Sequence, residues 1–510
     1  MRQTDSRRRF LAQTGAWAGL TALNPCERVL GAPKFAANPF SLGVASGDST
    51  ADGVVLWTRL ALDPVAGGGM APEAVAVDYR VAADEKFGNV VRRGKATASP
   101  DLAHSVHVEL TGLKPGSWYY YQFSAGGWES PVARTRTAPE TAGRLRFAFA
   151  SCQHYETGYY TAYQHMAEED LDLVIHLGDY IYEGGISKDR PRRHNSAEIV
   201  SLNDYRNRYA LYKTDELLQR VHQRFPWIVT WDDHEVDNDY ANDHPEDGMD
   251  RGAFLERRAG AYQAYYEHMP LRRSSLPKGS NMQLYRRLRY GNLGEIFVLD
   301  TRQYRSKKPC GGGLGAICPE STAAGQSILG AAQRRWLLEG LEKSAGKWNL
   351  VANQVMMAWL DRKPGPEMGY SMDKWTGYAG ELKAVMEYLA AKKVKNFVAL
   401  TGDIHSNWAA DLKVDFARPD SRTVGVEFVG TSISSSGDGE DGQDKEQSAR
   451  AENPHIRFHN QQRGYVSCTA AKDRLQADYR VVPYVSKPGA PLRTRASFVV
   501  EDGRAGMEKA

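Results

Sequence analysis

The sequence predicts an α/β protein carrying an all-β segment at its N-terminal side. Three observations lead there. Between residues 40 and 139, short runs such as VVLWTRL, AVAVDYRVA and HSVHVELTGL alternate apolar with polar side chains and are separated by turn residues. From Leu145 onward, continuous apolar runs alternate with amphipathic stretches, the pattern of strands buried on both faces between helices. Five of those apolar runs end in residue types that bind metals.

A chain of 510 residues exceeds one ordinary domain, so at least two are expected. Its 42% apolar and 25% charged residues are those of a soluble globular protein. The formal charge of +3 is an N-terminal effect. Residues 1–32 hold five Arg against Asp5 and Glu27, so of the 65 basic and 62 acidic residues the remainder keeps 60 of each. That balance argues against a nucleic-acid-binding surface built on bulk charge.

Taken in order, the chain opens with Ser6-Arg7-Arg8-Arg9-Phe10-Leu11 and a weakly apolar stretch to Leu23, too short to span a bilayer. This resembles a twin-arginine signal peptide, read by the machinery that exports folded proteins. Cleavage is expected after Ala32 or Ala37, and a periplasmic or secreted location follows. Leu23-Asn24-Pro25-Cys26 is a poor lipidation motif, so no stable membrane anchor is expected.

Residues 38–140 read as a β-sandwich of the fibronectin or immunoglobulin kind, with a turn at Pro115-Gly116 and a linker at Ala138-Pro139-Glu140. Residues 141–510 read as the catalytic α/β domain. Helices are expected over 159–170, 197–219, 331–343 and 380–392. The polar, acidic segment 434–454 reads as a mobile surface loop.

Among the cysteines, Cys26 is expected to leave with the signal. Cys310 and Cys318 flank the glycine-rich loop CGGGLGAIC and are expected to close as a disulfide after export, two free thiols being the alternative. Cys468 has no evident partner, and Cys152 ends a core strand.

The chemistry lies at the strand ends. LDLVIHLGDYIYEGG carries Asp179 and Tyr182 just past an apolar run, where open α/β sheets place their ligands. RFAFASCQ ends in Cys152, and PWIVTWDDHE ends in Asp232, Asp233 and His234. WNLVANQ ends in Asn353, and NFVALTGDIHSN ends in Asp403 and His405. Five such endings point to a polynuclear metal site. A thiolate and a phenolate, Cys152 and Tyr182, favour a strongly Lewis-acidic transition metal, and His405 suits the same ion. The oxygen set Asp233, Asn353 and Asp403 suits a harder divalent ion, with Asp179 able to bridge.

In this order the motifs resemble the calcineurin-like metallophosphoesterases. Gly178-Asp179-Tyr180-Ile181-Tyr182 matches the purple acid phosphatase pattern. Cys152 stands where the wider superfamily has Asp, and Asp403 where it has His. Those departures, with SCQ, HLGDYIYE, FPWIVTWDDHEVDND, LDTRQYR, MDKWTGY and GDIHSNW, are the pattern of the PhoD-type alkaline phosphatases and phosphodiesterases. The resemblance implies a four-layer α/β/β/α metallophosphoesterase sandwich, one Fe3+ and two Ca2+, and hydrolysis of phosphate monoesters or diesters by metal-activated hydroxide. It also makes His234 the substrate-facing catalytic residue. Arg302 reads as a phosphate contact or as the partner of Asp300 in a buried ion pair. A phospholipase D of the same branch and a non-catalytic phosphate- or surface-binding protein are the alternatives.

Overall fold

The computed structural model describes residues 34–418 and 420–510, so Arg7, Arg8 and Cys26 lie outside the described residues. Two large sheets organise the chain. The first has ten strands in the order Glu508–Lys509, Arg493–Glu501, Arg474–Val482, Arg463–Ala471, Arg144–Ala150, Leu173–His176, Trp227–Val229, Val44–Gly47, Val54–Arg59 and Ser105–Leu110. The second has seven, in the order Arg286–Tyr290, Gly294–Val298, Trp348–Ala352, Phe397–Thr401, Thr423–Val429, Asn407–Lys413 and Ile456–Asn460. The centres of both sheets are parallel, with Leu173–His176 in register between Arg144–Ala150 and Trp227–Val229. Trp348–Ala352 likewise pairs in parallel with Phe397–Thr401.

The sheets stack face to face. Phe147, Phe149 and Ile175 from the first share one core with Val298, Leu350, Leu400 and Phe428 from the second. The outer face of the first sheet, including Ala148, Val174 and Val229, packs under helices Thr161–Met166, Leu202–Lys213, Glu216–Arg224 and Arg251–His268. The outer face of the second is covered by Gly330–Glu342 and Ala379–Lys392. These are the four layers α/β/β/α. Burial on both faces is why the central strands read as unbroken apolar runs. Truncating a fully buried strand residue such as Ile175 to Ala would cost about 2–5 kcal/mol.

The N-terminal sandwich faces Val44–Gly47, Val54–Arg59 and Ser105–Leu110 with a five-stranded sheet built on Val75–Ala82 and Trp118–Ala125. Its first three strands are not a separate sheet. Gly47 pairs in parallel with Trp227, so the ten-stranded sheet runs on into the sandwich. A Cβ at Gly47 would lie 2.6 Å from the Trp227 carbonyl oxygen and 2.7 Å from that of Pro270, which only glycine tolerates.

Two segments differ from their sequence reading. The helix expected over 197–219 is two helices, because the first closes at Lys213 and Thr214 and Asp215 caps the next, accepting from the amides of Leu217 (2.9 Å) and Leu218 (3.1 Å). The segment 434–454 is not simply a loop. It enters the core at Ser434 and Ser435 and then forms the helix Gln443–Glu452. Asn453 and Asp361 exchange hydrogen bonds of 2.8 and 2.9 Å that fasten its end.

Candidate metal centre

The strand ends named from the sequence converge. Cys152, Asp179 and Asp233 come from the ten-stranded sheet, and Asn353, Asp403 and His405 from the seven-stranded one. Backbone geometry marks the turns there: Cys152 (φ 59°), Asp179 (56°), Asp403 (67°), His405 (55°) and Ser436 (69°) all have positive φ. Such conformations in non-glycine residues cost of order 1–3 kcal/mol and cluster at functional sites. Gly178 lets the loops close, since a Cβ there would stand 2.5 Å from the Asp232 amide nitrogen. Glu235 then ties them together, accepting from the amides of Asp179 (3.1 Å), Tyr180 (2.5 Å) and Asp232 (2.8 Å).

Two groups of donors share one carboxylate. Ligand atoms of Cys152, Asp179 and His405 lie within 4.8 Å of one another, as do those of Asp179, Asp233 and His234. Asp179 therefore stands between them. Its Oδ2 accepts from the Tyr182 hydroxyl (3.0 Å), which also lies 3.2 Å from His405 Nε2. Its Oδ1 is buried without a hydrogen-bond partner. Ser435 Oγ sits 2.8 Å from the Tyr182 oxygen, and Ser436 Oγ 2.8 Å from His405 Nδ1.

Electrostatics show what this donor set lacks. Burial, then the charge of Asp179, pushes the Cys152 thiol and the Tyr182 phenol well above their usual ranges. Burial likewise lifts Asp179, against the pull of His234. Burial, Arg463 and His234 hold His405 down at about 3, a neutral imidazole able to donate a lone pair. A multiply charged cation would ionise the thiol and phenol and complete the orphaned Asp179 oxygen, so the residues fit a metal.

Asp233 and His234 are held differently. Burial disfavours the Asp233 charge, yet Arg302 and His234 outweigh it and keep its carboxyl well below the usual range. For His234, burial is likewise overcome by Glu183, Asp233 and Asp179, which hold the imidazole well above its usual value. Glu183 Oε2 lies 2.7 Å from His234 Nδ1, and Glu183 Oε1 accepts from the Asn238 amide (2.9 Å).

Asn353 and Asp403 reach the same edge but touch protein. Asn353 Nδ2 donates to Val355 (2.5 Å) and Thr401 (3.1 Å), and its Oδ1 accepts from Trp375 Nε1 (3.1 Å). Asp403 Oδ2 accepts from the Lys374 ammonium, and neither residue belongs to the two donor groups. Arg302 is fully buried and pairs with Asp232 (2.5 Å) and, through both terminal nitrogens, with Asp373 (2.9 and 3.0 Å). Asp300 takes only its backbone amide, so the buried ion pair of Arg302 is with Asp232 and Asp373 and not with Asp300. Glu183, Lys374, Trp375 and Ser435 were missed as site residues. Glu183 adjoins Tyr182 in the motif, and Lys374 and Trp375 lie in MDKWTGY.

Cys310 and Cys318 form a disulfide with their Cα atoms 6.0 Å apart. Cys468 is free and buried on the strand Arg463–Ala471. Beside His405 and Ser436 opens a cavity of about 660 Å³, bounded by Arg362, Trp408, His459 and Arg463.

The family model for PhoD-like phosphatase matches residues 147–479, and that for the PhoD-like phosphatase N-terminal domain matches residues 26–139. The chain belongs to the PhoD-like phosphatase family. It is 50% identical over 520 residues to alkaline phosphatase D of Bacillus subtilis (strain 168), covering 99% of this chain and 89% of that one. A solved structure of PhoD superposes with a TM-score of 0.91 at 52% identity, over 94% of this chain and 93% of that one. A purple acid phosphatase from yellow lupin (Lupinus luteus) seeds shares the fold alone, at 13% identity and a TM-score of 0.55, over 90% and 73% of the two chains. This PhoD-like chain is thus a phosphoric ester hydrolase, and a metal-dependent one. Among the described residues no helix is long and apolar enough to cross a membrane.

Proposed function

We propose that this PhoD-like phosphatase is an exported hydrolase of phosphate monoesters and diesters, working at a centre of one Fe3+ and two Ca2+. The observation that carries the reading is Asp179, buried between two donor groups with one carboxylate oxygen unpartnered. Cys152, Asp179, Tyr182 and His405 would hold the iron, and Asp179, Asp233, Asn353 and Asp403 the calcium ions. Bound there, the ions supply Lewis acidity for the phosphoryl group and an ionised water as nucleophile.

The chain's own groups do the rest. Glu183 fixes the His234 ring through Nδ1, so Nε2 is the nitrogen left to hold a proton at the leaving oxygen. Tyr182 lies tilted against that ring, 4.1 Å between centroids at an interplanar angle of 32°, and limits its rotation. The cavity beside His405 is far larger than a phosphate and gives room for the alcohol of the ester. Export rests on the Arg7-Arg8 motif, with the disulfide consistent with an oxidising compartment.

One preparation tests the reading: metal analysis, a visible spectrum, and turnover of bis-aryl, mono-aryl and phosphatidylcholine substrates before and after EGTA. We expect iron, calcium and a visible charge-transfer band, with turnover lost to EGTA and restored by Ca2+. A fully active, colourless sample holding zinc or manganese and no iron would defeat the metal assignment, and preferred turnover of phosphatidylcholine would favour the phospholipase D alternative.

A further inference from the structure

The loop Cys310–Cys318 supplies no member of the two donor groups at the site, yet it is built against the segment that touches Asn353 and Asp403. Four of its nine residues are glycines, Gly311, Gly312, Gly313 and Gly315, and Leu314 is 51% exposed. A chain of that composition has large conformational freedom and little side chain with which to anchor itself. Its ends are tied by the Cys310 amide donating to Glu320 Oε2 (2.8 Å) and the Ser321 hydroxyl donating to the Cys318 carbonyl (2.7 Å), and two further constraints order it. The disulfide closes it, and Leu314–Gly315 pairs antiparallel with Tyr370–Ser371. The Met372 amide adds a hydrogen bond to the Gly313 carbonyl (3.1 Å).

Beyond Met372 the chain forms a strap across the site. Asp373 receives Arg302 and also Arg305 (2.6 Å), and Arg302 in turn holds Asp232 and lies 3.5 Å from Asp233. Lys374 meets Asp403, and Trp375 holds the Asn353 side-chain oxygen. Three consecutive residues therefore orient three of the strand ends. At its start the strap is held by the two-residue ladder to the disulfide loop, by Tyr370 against the Trp359 ring (5.2 Å between centroids) and by the burial of Met372.

We propose that the Cys310–Cys318 hairpin is a positioning element for the hydrolytic reaction: it seats the strap 370–378 on Asn353, Asp403 and Arg302, so that oxidation of this cysteine pair completes the site. The inference rests on the reading that Asn353 and Asp403 belong to the metal centre. Its consequence is a chain that is incompletely assembled while reduced and gains full turnover once a small-molecule or protein disulfide oxidises the pair by thiol–disulfide exchange, that disulfide leaving as two thiols that carry the two electrons and two protons. Reduction breaks the S–S bond with two electrons. With a phosphine reductant, the phosphine becomes its oxide using the oxygen of one water, and that water's two protons end on the two thiols.

The test compares metal-loaded wild type with Cys310→Ser/Cys318→Ser by amide hydrogen exchange and steady-state kinetics. We expect exchange in peptides covering 370–378 to rise about tenfold or more, with the strand Leu173–His176 unchanged as internal control. We expect kcat to fall about 10- to 100-fold, as displacement of positioned groups by around 1 Å does, with little change in KM. Wild type reduced by phosphine should behave as the double variant does, and reoxidation should restore both readouts, which a generally unfolded protein would not show. Unchanged exchange over 370–378, or faster exchange with kcat within twofold of wild type, would overturn the proposal. If the double variant does not fold, phosphine-reduced and alkylated wild type gives the same two readouts. Asp403→Asn with the disulfide intact separates the two ideas: full activity there removes Asp403 from the metal centre, while the exchange data still judge the brace.

Discussion

The two halves of the site solve the same electrostatic problem in opposite ways. The half on the ten-stranded sheet gathers Cys152, Asp179 and Tyr182, with a neutral thiol, a neutral phenol and an unpartnered Asp179 oxygen. The half on the seven-stranded sheet offers Asn353 and Asp403, each already matched by Trp375 or Lys374. The first half is completed only by an added cation, whereas in the second a cation must displace an existing partner. A resident ion suits the first and exchangeable ions suit the second, which parallels the proposed division between iron and calcium, with His405 crossing to the iron set and Asp179 and Asp233 reaching into the calcium set.

The largest effect should come from the group that belongs to both sets. Asp179→Asn keeps the shape and the hydrogen bond from Tyr182 but removes the charge between the two donor groups. We expect kcat/KM to fall by about 10³–10⁴-fold, more than for Cys152→Ser or Tyr182→Phe, with metal content reduced in the same samples. Steady-state kinetics with elemental analysis checks this. Activity within tenfold of wild type would show that the halves do not share a carboxylate, and the comparison would break there.

A smaller effect sharpens the first half. Glu183 touches no donor group but His234, so Glu183→Gln should leave metal content intact while loosening the imidazole. We expect kcat to drop about 10- to 100-fold. The loss should be greater for an alkyl ester than for a nitrophenyl ester, because only the poorer leaving group needs its oxygen protonated. Equal losses for both esters would mean that Glu183 merely stabilises the loop.

These halves were legible in the sequence to different depths. Strands buried on both faces must be continuous apolar runs, so Leu173-Val174-Ile175 and Phe397-Val398-Ala399 announced themselves, and the residues after them fell at the sheet edge. What holds those residues was not legible, because Glu183, Lys374, Trp375 and Ser435 act through contacts between distant loops. Lys374 lies 29 residues before Asp403, and Ser435 lies 253 residues after Tyr182. The break at Asp215 was hidden because a capping carboxylate inside an amphipathic run looks like one more polar position. The helix Gln443–Glu452 was hidden because its polar composition promises no core, while its order comes from ties such as that between Asn453 and Asp361. The sheet shared with the N-terminal sandwich needed Gly47 beside Trp227, a pairing that no local pattern encodes.

The smallest effect probes how the second half is supported. Glu427 is fully buried beneath it, accepting from the amides of Met357 (2.8 Å) and Ala358 (2.7 Å) and from the Thr401 hydroxyl (2.7 Å). Thr401 in turn receives the Asn353 side chain. Burial lifts Glu427 to about 7, against the opposing effect of those three donors. The unfolded chain releases this proton near its ordinary value of about 4.3, while the folded chain keeps it to about 7. Between those values the native state binds more protons than the unfolded one, so stability falls as pH rises. The contribution is fully present below about pH 4 and gone above about pH 7, with an upper bound of roughly 4 kcal/mol. Glu427→Gln keeps an acceptor for one of the two amides at some cost in stability and cannot titrate, so its urea midpoint should vary less between pH 5 and pH 7.5 than that of wild type. A variant whose pH slope matches wild type would assign the slope to other groups and leave Glu427 as a spacer under the second half.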